Sequence, residues 1–293
     1  MKPAPFAFHA ARSRPEALEA LSRWGDDAKV LAGGQSLVPM LALRLARFAH
    51  LVDLNRADDL AGVRREDGWL SVGAMTRQRH LERHTELGRT VPLLARATPL
   101  IGHFQVRNRG TLGGSISHAD PASEYPAVAL ALDATMRLDN AGSSRLVGAR
   151  DFFVSTWTTC LAPDELLCEV RFPVWEGPCG FSIREVARRR GDFALVGVAG
   201  GLRLDPAGRL CGAALCAFGV GPTPVRAPEA EAALAGQPAD ALGPPELEEL
   251  GHLAASGLEP VDDVHASASY RRSVAATLAR QVLADCLEEA TRG

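Results

Sequence analysis

Lys29-Val30-Leu31-Ala32-Gly33-Gly34-Gln35-Ser36-Leu37 is the stretch on which the reading of this chain turns. Its first four residues predict a short strand, Gly33-Gly34-Gln35-Ser36 a turn, and Leu37 to Leu45 a helix. Leu51-Val52-Asp53-Leu54-Asn55 predicts a second strand, which completes a βαβ-like unit. Upstream, Ser13 with Pro15 and Glu16 has the form of a capping box, Leu18, Leu21 and Trp24 recur at helical spacing, and Gly25 supplies a stop, so residues 14–24 are expected to be helical. At the turn, glycines without side chains let backbone N–H groups approach an anion, and the helix opening at Ser36 aims its positive end at the same point. The turn is a phosphate cradle in form, although a plain strand-to-helix connector would look the same. It has neither the Lys-Ser/Thr of a P-loop nor the three-glycine Rossmann spacing, which excludes those two nucleotide-binding modes.

A second glycine-rich stretch, Arg107-Asn108-Arg109-Gly110-Thr111-Leu112-Gly113-Gly114-Ser115, combines flexible backbone, hydroxyl donors and two cations, and is read as a loop through residue 123. Ser117, His118, Asp120, Ser123 and Glu124 then crowd polar groups ahead of the apolar run Pro126 to Leu132, which suits a ribityl or ribose chain lying over a core. Two such stretches point to a ligand with a pyrophosphate bridge and a polyol arm. Strands are expected near 69–73, 135–139 and 165–172, with helices near 77–84, 91–101 and 125–132. Trp175-Glu176-Gly177-Pro178 reads as a linker, followed by long strands near 180–187, 194–205 and 211–219 and helices near 245–256 and 267–290. The fold class is therefore α+β.

A net charge of −3, from 32 Lys and Arg against 35 Asp and Glu, lacks the basic field of a nucleic-acid binder. The start, Met1-Lys2-Pro3-Ala4-Pro5-Phe6, has no signal-peptide core and no run is long enough to span a bilayer, so the expected location is cytoplasmic. The six cysteines are scattered and have no metal-ligand spacing, and His50, His80, His84 and His103 have none between them, so no metal site is expected and the thiols are read as buried and apolar.

The pair Ala32-Gly33-Gly34-Gln35-Ser36-Leu37 and Arg107-Asn108-Arg109-Gly110-Thr111-Leu112-Gly113-Gly114, with His118-Ala119-Asp120-Pro121-Ala122-Ser123 behind it, resembles the FAD motifs of the medium subunits of molybdenum hydroxylases, the xanthine dehydrogenase and aerobic carbon monoxide dehydrogenase group. The resemblance extends over the whole chain, including Gly191-Asp192-Phe193-Ala194. It implies a vanillyl-alcohol-oxidase-type FAD-binding domain over 1–176, in two α/β subdomains of about 1–58 and 59–176, and a C-terminal domain of antiparallel sheet plus helices over 177–293. It also implies that this chain relays electrons through FAD, while molybdopterin sits on a large partner subunit and [2Fe–2S] clusters on a small one, as a dimer of heterotrimers. No general base for the hydroxylation is expected here.

By the same resemblance, Ala32, Gly33, Gly34, Gln35, Ser36, Leu37, Thr111, Gly113, Gly114 and Ser115 would wrap the pyrophosphate. Ile101 would lie at the adenine or flavin wall and His118 and Glu124 near the polyol, with Glu124 standing where the family usually has Asp. Leu166 would pack on the isoalloxazine, Arg184 would face its N1/O2 edge, and Phe193 would cover one face where carbon monoxide dehydrogenases tend to carry Tyr. Ile101 and Leu166 read equally well as core residues, and Arg184 to Arg190 as a solvated or docking face. Two other functions remain open at this point: a stand-alone FAD-dependent oxidoreductase, and a nucleotide-binding module without redox work.

Overall fold

In the computed structural model, which describes residues 2–292, β1 (Ala7–Ala10), α1 (Arg14–Trp24), β2 (Ala28–Leu31), α2 (Leu37–Ala42) and β3 (His50–Asp53) make two crossovers onto a parallel sheet ordered β1-β3-β2. The capping box operates as its spacing predicts: the Ser13 hydroxyl accepts the Glu16 N–H at 3.4 Å, and Gly25 ends α1 at φ 47°. β1 carries too short and mixed a pattern to be foreseen. α2 stops at Ala42, short of the expected Leu45, and Arg44 takes a left-handed φ of 59°.

The middle of the chain runs through β4 (Val63–Glu66), β5 (Trp69–Gly73), α3 (Gln78–Glu82), α4 (Leu87–Thr90), α5 (Pro92–Ala97), α6 (Phe104–Arg109), α7 (Leu112–His118) and α8 (Glu124–Ala131). It continues with β6 (Thr135–Asp139), β7 (Ser144–Gly148), α9 (Ala149–Phe152), the small pair β8 (Phe153–Ser155) and β9 (Thr158–Thr159), and β10 (Leu166–Pro173). Five of these strands form an antiparallel sheet ordered β4-β5-β10-β6-β7.

The chief local surprise is α7, in a stretch read as loop. Glycine costs about 1 kcal/mol in a helix interior relative to alanine, which argues against a helix through Gly113-Gly114. Packing overrides that propensity, because α7 lies so close to the end of β5 that a Cβ on Gly113 would meet the Ala74 Cβ at 2.4 Å.

The C-terminal third comprises β11 (Cys179–Val186), β12 (Val196–Leu204), β13 (Leu210–Phe218) and β14 (Val225–Arg226), followed by α10 (Pro228–Leu234), α11 (Pro244–Ser256) and α12 (Ala268–Arg292). Its strands pair antiparallel in sequence order. α12 covers one face of this sheet, and α5 and α8 press on the other. Every residue of α8 is buried, as befits a helix apolar all round and enclosed on all sides. One core cluster joins Leu93, Leu94, Tyr125 and Val128 to Ala199 and Phe218, so the C-terminal sheet shares its interior with the preceding unit. Arg226 fastens the same junction: it donates to the carbonyls of Leu130 and Ala131 at the end of α8 (3.0 and 3.2 Å) and pairs with Glu231 at 2.6 and 2.8 Å. Among the described residues no helix is long and apolar enough to cross a membrane.

Candidate cofactor-binding site

The turn between β2 and α2 and the stretch before α7 meet backbone to backbone. A Cβ on Gly33 would lie 2.4 Å from the Arg109 carbonyl oxygen and 2.8 Å from the Gly110 Cα. Gly33 is thus required first by loop-to-loop contact, a reason the sequence does not disclose. Gly34 sits at φ +72°, where L side chains are strained. The backbone N–H groups of Gly33, Gly34, Gln35 and Ser36, and the Ser36 hydroxyl, have no hydrogen-bond partner among the described residues. Gln35 folds back, its Nε2 donating to the Gly33 carbonyl at 3.1 Å. A row of unsatisfied N–H groups in such a turn can serve as an anion cradle.

The second stretch is built differently. Thr111 caps α7 and accepts the Gly114 N–H at 3.0 Å, while the Gly113 N–H goes to Ala74 O at 2.8 Å and the Leu112 N–H to Thr76 O at 3.0 Å. Its glycine N–H groups are therefore largely spent on holding α7 against β5, and what remains for a ligand is the Ser115 hydroxyl beside the start of that helix. Nor does it supply two free cations. Arg107 is buried, donating to Ile101 O and Gly102 O at 3.0 and 2.8 Å and pairing with Glu82 at 2.9 Å, a bond that holds Glu82 below the usual carboxylate range. Only Arg109 is exposed.

Two residues that sequence reasoning missed tie the loops together. Asn55, just beyond β3, donates to Ala32 O at 3.1 Å, and its Oδ1 accepts from Arg77 at 2.6 Å, while the other Arg77 amino group reaches Arg109 O. No local pattern separates Arg77 from the rest of the 32 basic residues; only the fold makes it a clamp.

Ile101, buried at 9% exposure, joins the core beside this site, and its carbonyl is fixed by Arg107. His118 is half-buried at the end of α7 against Trp157, and burial lowers its pKa. Glu124 opens α8 almost fully buried, and burial pushes its carboxyl up to about 8. Desolvation favours the neutral acid. Phe193 is exposed, and its loop is brought toward the Ile101 turn because Gly191 rests on the His103 ring.

Leu166 is buried in a cluster with Leu54, Leu60, Met75 and Cys168, against which Ala32 of the first loop also packs. Arg184 projects to the α12 side of β11, where Asp285 takes its guanidinium at 2.7 and 3.0 Å. Alternation along a strand puts its neighbour Glu185 on the opposite face. Among the described residues no three His, Cys, Asp or Glu side chains cluster to hold a metal; Cys168, Cys216 and Cys286 are buried, whereas Cys211 is exposed.

Residues 4–175 match the FAD binding domain in molybdopterin dehydrogenase, and residues 181–286 the CO dehydrogenase flavoprotein C-terminal domain. The chain belongs to the FAD-binding medium subunits of the molybdenum hydroxylases. It is 39% identical over 290 residues to the 6-hydroxypseudooxynicotine dehydrogenase complex subunit alpha of Paenarthrobacter nicotinovorans, covering 99% of this chain and 97% of that one. To the carbon monoxide dehydrogenase medium chain of Hydrogenophaga pseudoflava it is 34% identical, covering 97% of both. Among solved structures, a chain of the Hydrogenophaga pseudoflava carbon monoxide dehydrogenase lacking the Mo-pyranopterin moiety superposes with a TM-score of 0.94 at 36% identity, covering 99% of both chains. A chain of quinoline 2-oxidoreductase from Pseudomonas putida 86 gives 0.93 at 34% identity with the same coverage.

As a medium subunit, this chain binds FAD. Its residues fit the cofactor: the unpaired N–H groups of 33–36 and the free hydroxyls of Ser36 and Ser115 match the chemistry of a pyrophosphate.

Proposed function

We propose that this medium subunit passes electrons from [2Fe–2S] clusters on a small partner subunit, through FAD, to an external acceptor. In this reading a large molybdopterin subunit hydroxylates the substrate, and the whole is a cytoplasmic dimer of heterotrimers. The FAD-binding domain would end near residue 176. The pyrophosphate would lie on Ala32 to Leu37 and on Thr111, Gly113, Gly114 and Ser115, with Ile101 and Phe193 as walls and His118 and Glu124 along the polyol. What carries the reading is the row of unpaired N–H groups at 33–36, held against the second loop by the Gly33–Arg109 contact. FAD when bound supplies the electron-accepting chemistry, and the protein's part is to hold it, orient it and set its electrostatics.

The test is copurification. The natively isolated protein should show flavin bands near about 370 and 450 nm and bring with it subunits carrying molybdenum and iron. A chain that oxidises substrate by itself, without either metal, would refute the relay.

A further inference from the structure

β11 is an outer strand of the C-terminal sheet, and the two halves of its free edge are finished differently. Leu204 N–H donates to Pro178 O at 2.9 Å at the start of the antiparallel pairing with β12. The even-numbered residues of β11 therefore turn their N–H and C=O groups to β12, and the odd-numbered ones turn theirs outward. At Phe181 the outward pair is taken up by side chains. Its N–H donates to Glu289 of α12 at 2.9 Å, and its carbonyl accepts from Arg96 of α5, which is itself bonded to Glu289 at 2.5 Å. Covering an edge in this way keeps it from pairing with another chain. Ile183 and Glu185 have no such cover. Their N–H and C=O groups find no partner among the described residues.

A groove of about 490 Å³ runs along this open half and touches Ile183, Arg184, Glu185 and Val186 in succession. Side chains on a strand alternate between faces, so a cavity that meets four in a row lies at the edge and not on a face. A stripe of α12 at helical spacing, Tyr270, Val274, Leu278 and Gln281, forms a wall, and Leu100 adds a further apolar contact. The stripe is apolar in its middle and carries hydrogen-bonding groups at its ends. Arg184 is not a free charge here, since Asp285 holds it at 2.7 Å. Just past the strand, Arg188, Arg189 and Arg190 are exposed and form no ion pair among the described residues.

We propose that the open half of β11 is a docking edge, on which an extended acidic segment of a partner subunit adds a strand to the sheet. The proposal rests on the reading above that this chain works in a complex with other subunits. An exposed edge binds an extended chain through main-chain hydrogen bonds, and the side chains of that chain, alternating in direction, fill the pockets beside it. Here the added segment pairs its C=O and N–H groups with those of Ile183 and Glu185 and rests apolar side chains on Val274, Leu278 and Leu100. The arginines decide its charge. Three unpaired guanidinium groups at one end of the groove call for carboxylates on the chain that leaves it.

Hydrogen exchange, compared between the natively isolated complex and the full chain purified alone, tests this. The Ile183 and Glu185 amides should exchange quickly in the separate chain and slowly in the complex. Glu185→Pro removes one outward N–H without costing a bond to β12, whereas Glu185→Ala keeps it. Glu185→Pro should retain its flavin and raise the dissociation constant of the complex about tenfold or more, the effect of one lost hydrogen bond and the partner group left unpaired. Glu185→Ala should assemble like the wild type. Reversing the charges, R188E with R189E and R190E, should weaken assembly too, and wild-type assembly should weaken as salt is raised. If Glu185→Pro does not fold, the exchange comparison still decides. Amides at 183 and 185 that exchange alike in both samples, a folded Glu185→Pro that holds its partners as tightly as the wild type, or charge reversal without effect overturns the proposal with the complex intact. Protection already present in the separate chain at twice the monomer mass gives the edge to a second copy and overturns it as well. A chain that brings no other subunit with it overturns the reading of a complex instead.

Discussion

Replacing Gly33 with alanine tests the loop-to-loop contact by the sign of its effect. Gly33 has no left-handed φ, so alanine meets no backbone strain there. With room for the methyl group, Gly33→Ala would stabilise the chain by about 0.4–1 kcal/mol through the unfolded state. The structure leaves no room: the new Cβ would sit 2.4 Å from Arg109 O and 2.8 Å from Gly110 Cα, both backbone atoms that no rotamer change can remove. To restore ordinary contact the loops must part by about 1 Å, and overpacking of this kind costs roughly 1–3 kcal/mol. In a chain of this length each kcal/mol moves Tm by about 2–4 °C. A fall of several degrees is expected, together with a marked loss of bound FAD, because the unpaired N–H groups of 33–36 move with the loop. The checks are thermal unfolding and flavin absorbance relative to protein in the purified variant. An unchanged or higher Tm with full flavin content would refute the contact and the role given to it.

Gly34→Val should also lose FAD, here through backbone strain, since a β-branched residue is forced to φ +72° and its Cβ meets Val38 Cγ2 at 3.0 Å; flavin content after purification reads it. Arg226→Met should destabilise the chain by about 3 kcal/mol by removing the cation from Glu231, which keeps only the Leu215 N–H, and the donor from the α8 carbonyls, and denaturant unfolding followed by circular dichroism measures it. Glu124→Gln should flatten the pH dependence of stability. The folded chain holds this proton up to about pH 8 whereas the unfolded carboxyl loses it near 4.5, so its contribution is complete below that lower value and is lost as pH rises to about 8. At 1.36 kcal/mol per pH unit the span is on the order of 5 kcal/mol, and unfolding at both ends of the window compares variant with wild type.

Much of the fold was legible because its signals are local. The Ser13 cap, the apolar spacing of α1 and the long strands of the C-terminal sheet each express preferences that neighbouring residues decide alone. The elements missed, β1, β4, β7, α6 and α7 among them, are short, and their conformation is set by what packs on them. α7 is the clearest, since Gly113 looks like loop until Ala74 is found against it. The loops themselves were legible as a pair, but not the division of work between them, because whether an N–H is free or already bonded depends on Ala74 and Thr76, far away in sequence. Arg184 is placed by the same kind of distant contact. A cation on a strand has two faces to choose from, and Asp285, a hundred residues on, decides the choice.

The cradle at 33–36 is backbone, and close contacts fix it: Gly33 lies against Arg109 and Gly110, and Gly34 sits at a left-handed φ. Side chains act on it at one remove, since Asn55 holds the Ala32 carbonyl and Arg77 joins Asn55 to the Arg109 carbonyl. The shape of the turn therefore depends on where these two side chains pin the loops, and a substitution at Asn55 or Arg77 moves the N–H groups of 33–36 without replacing any of them.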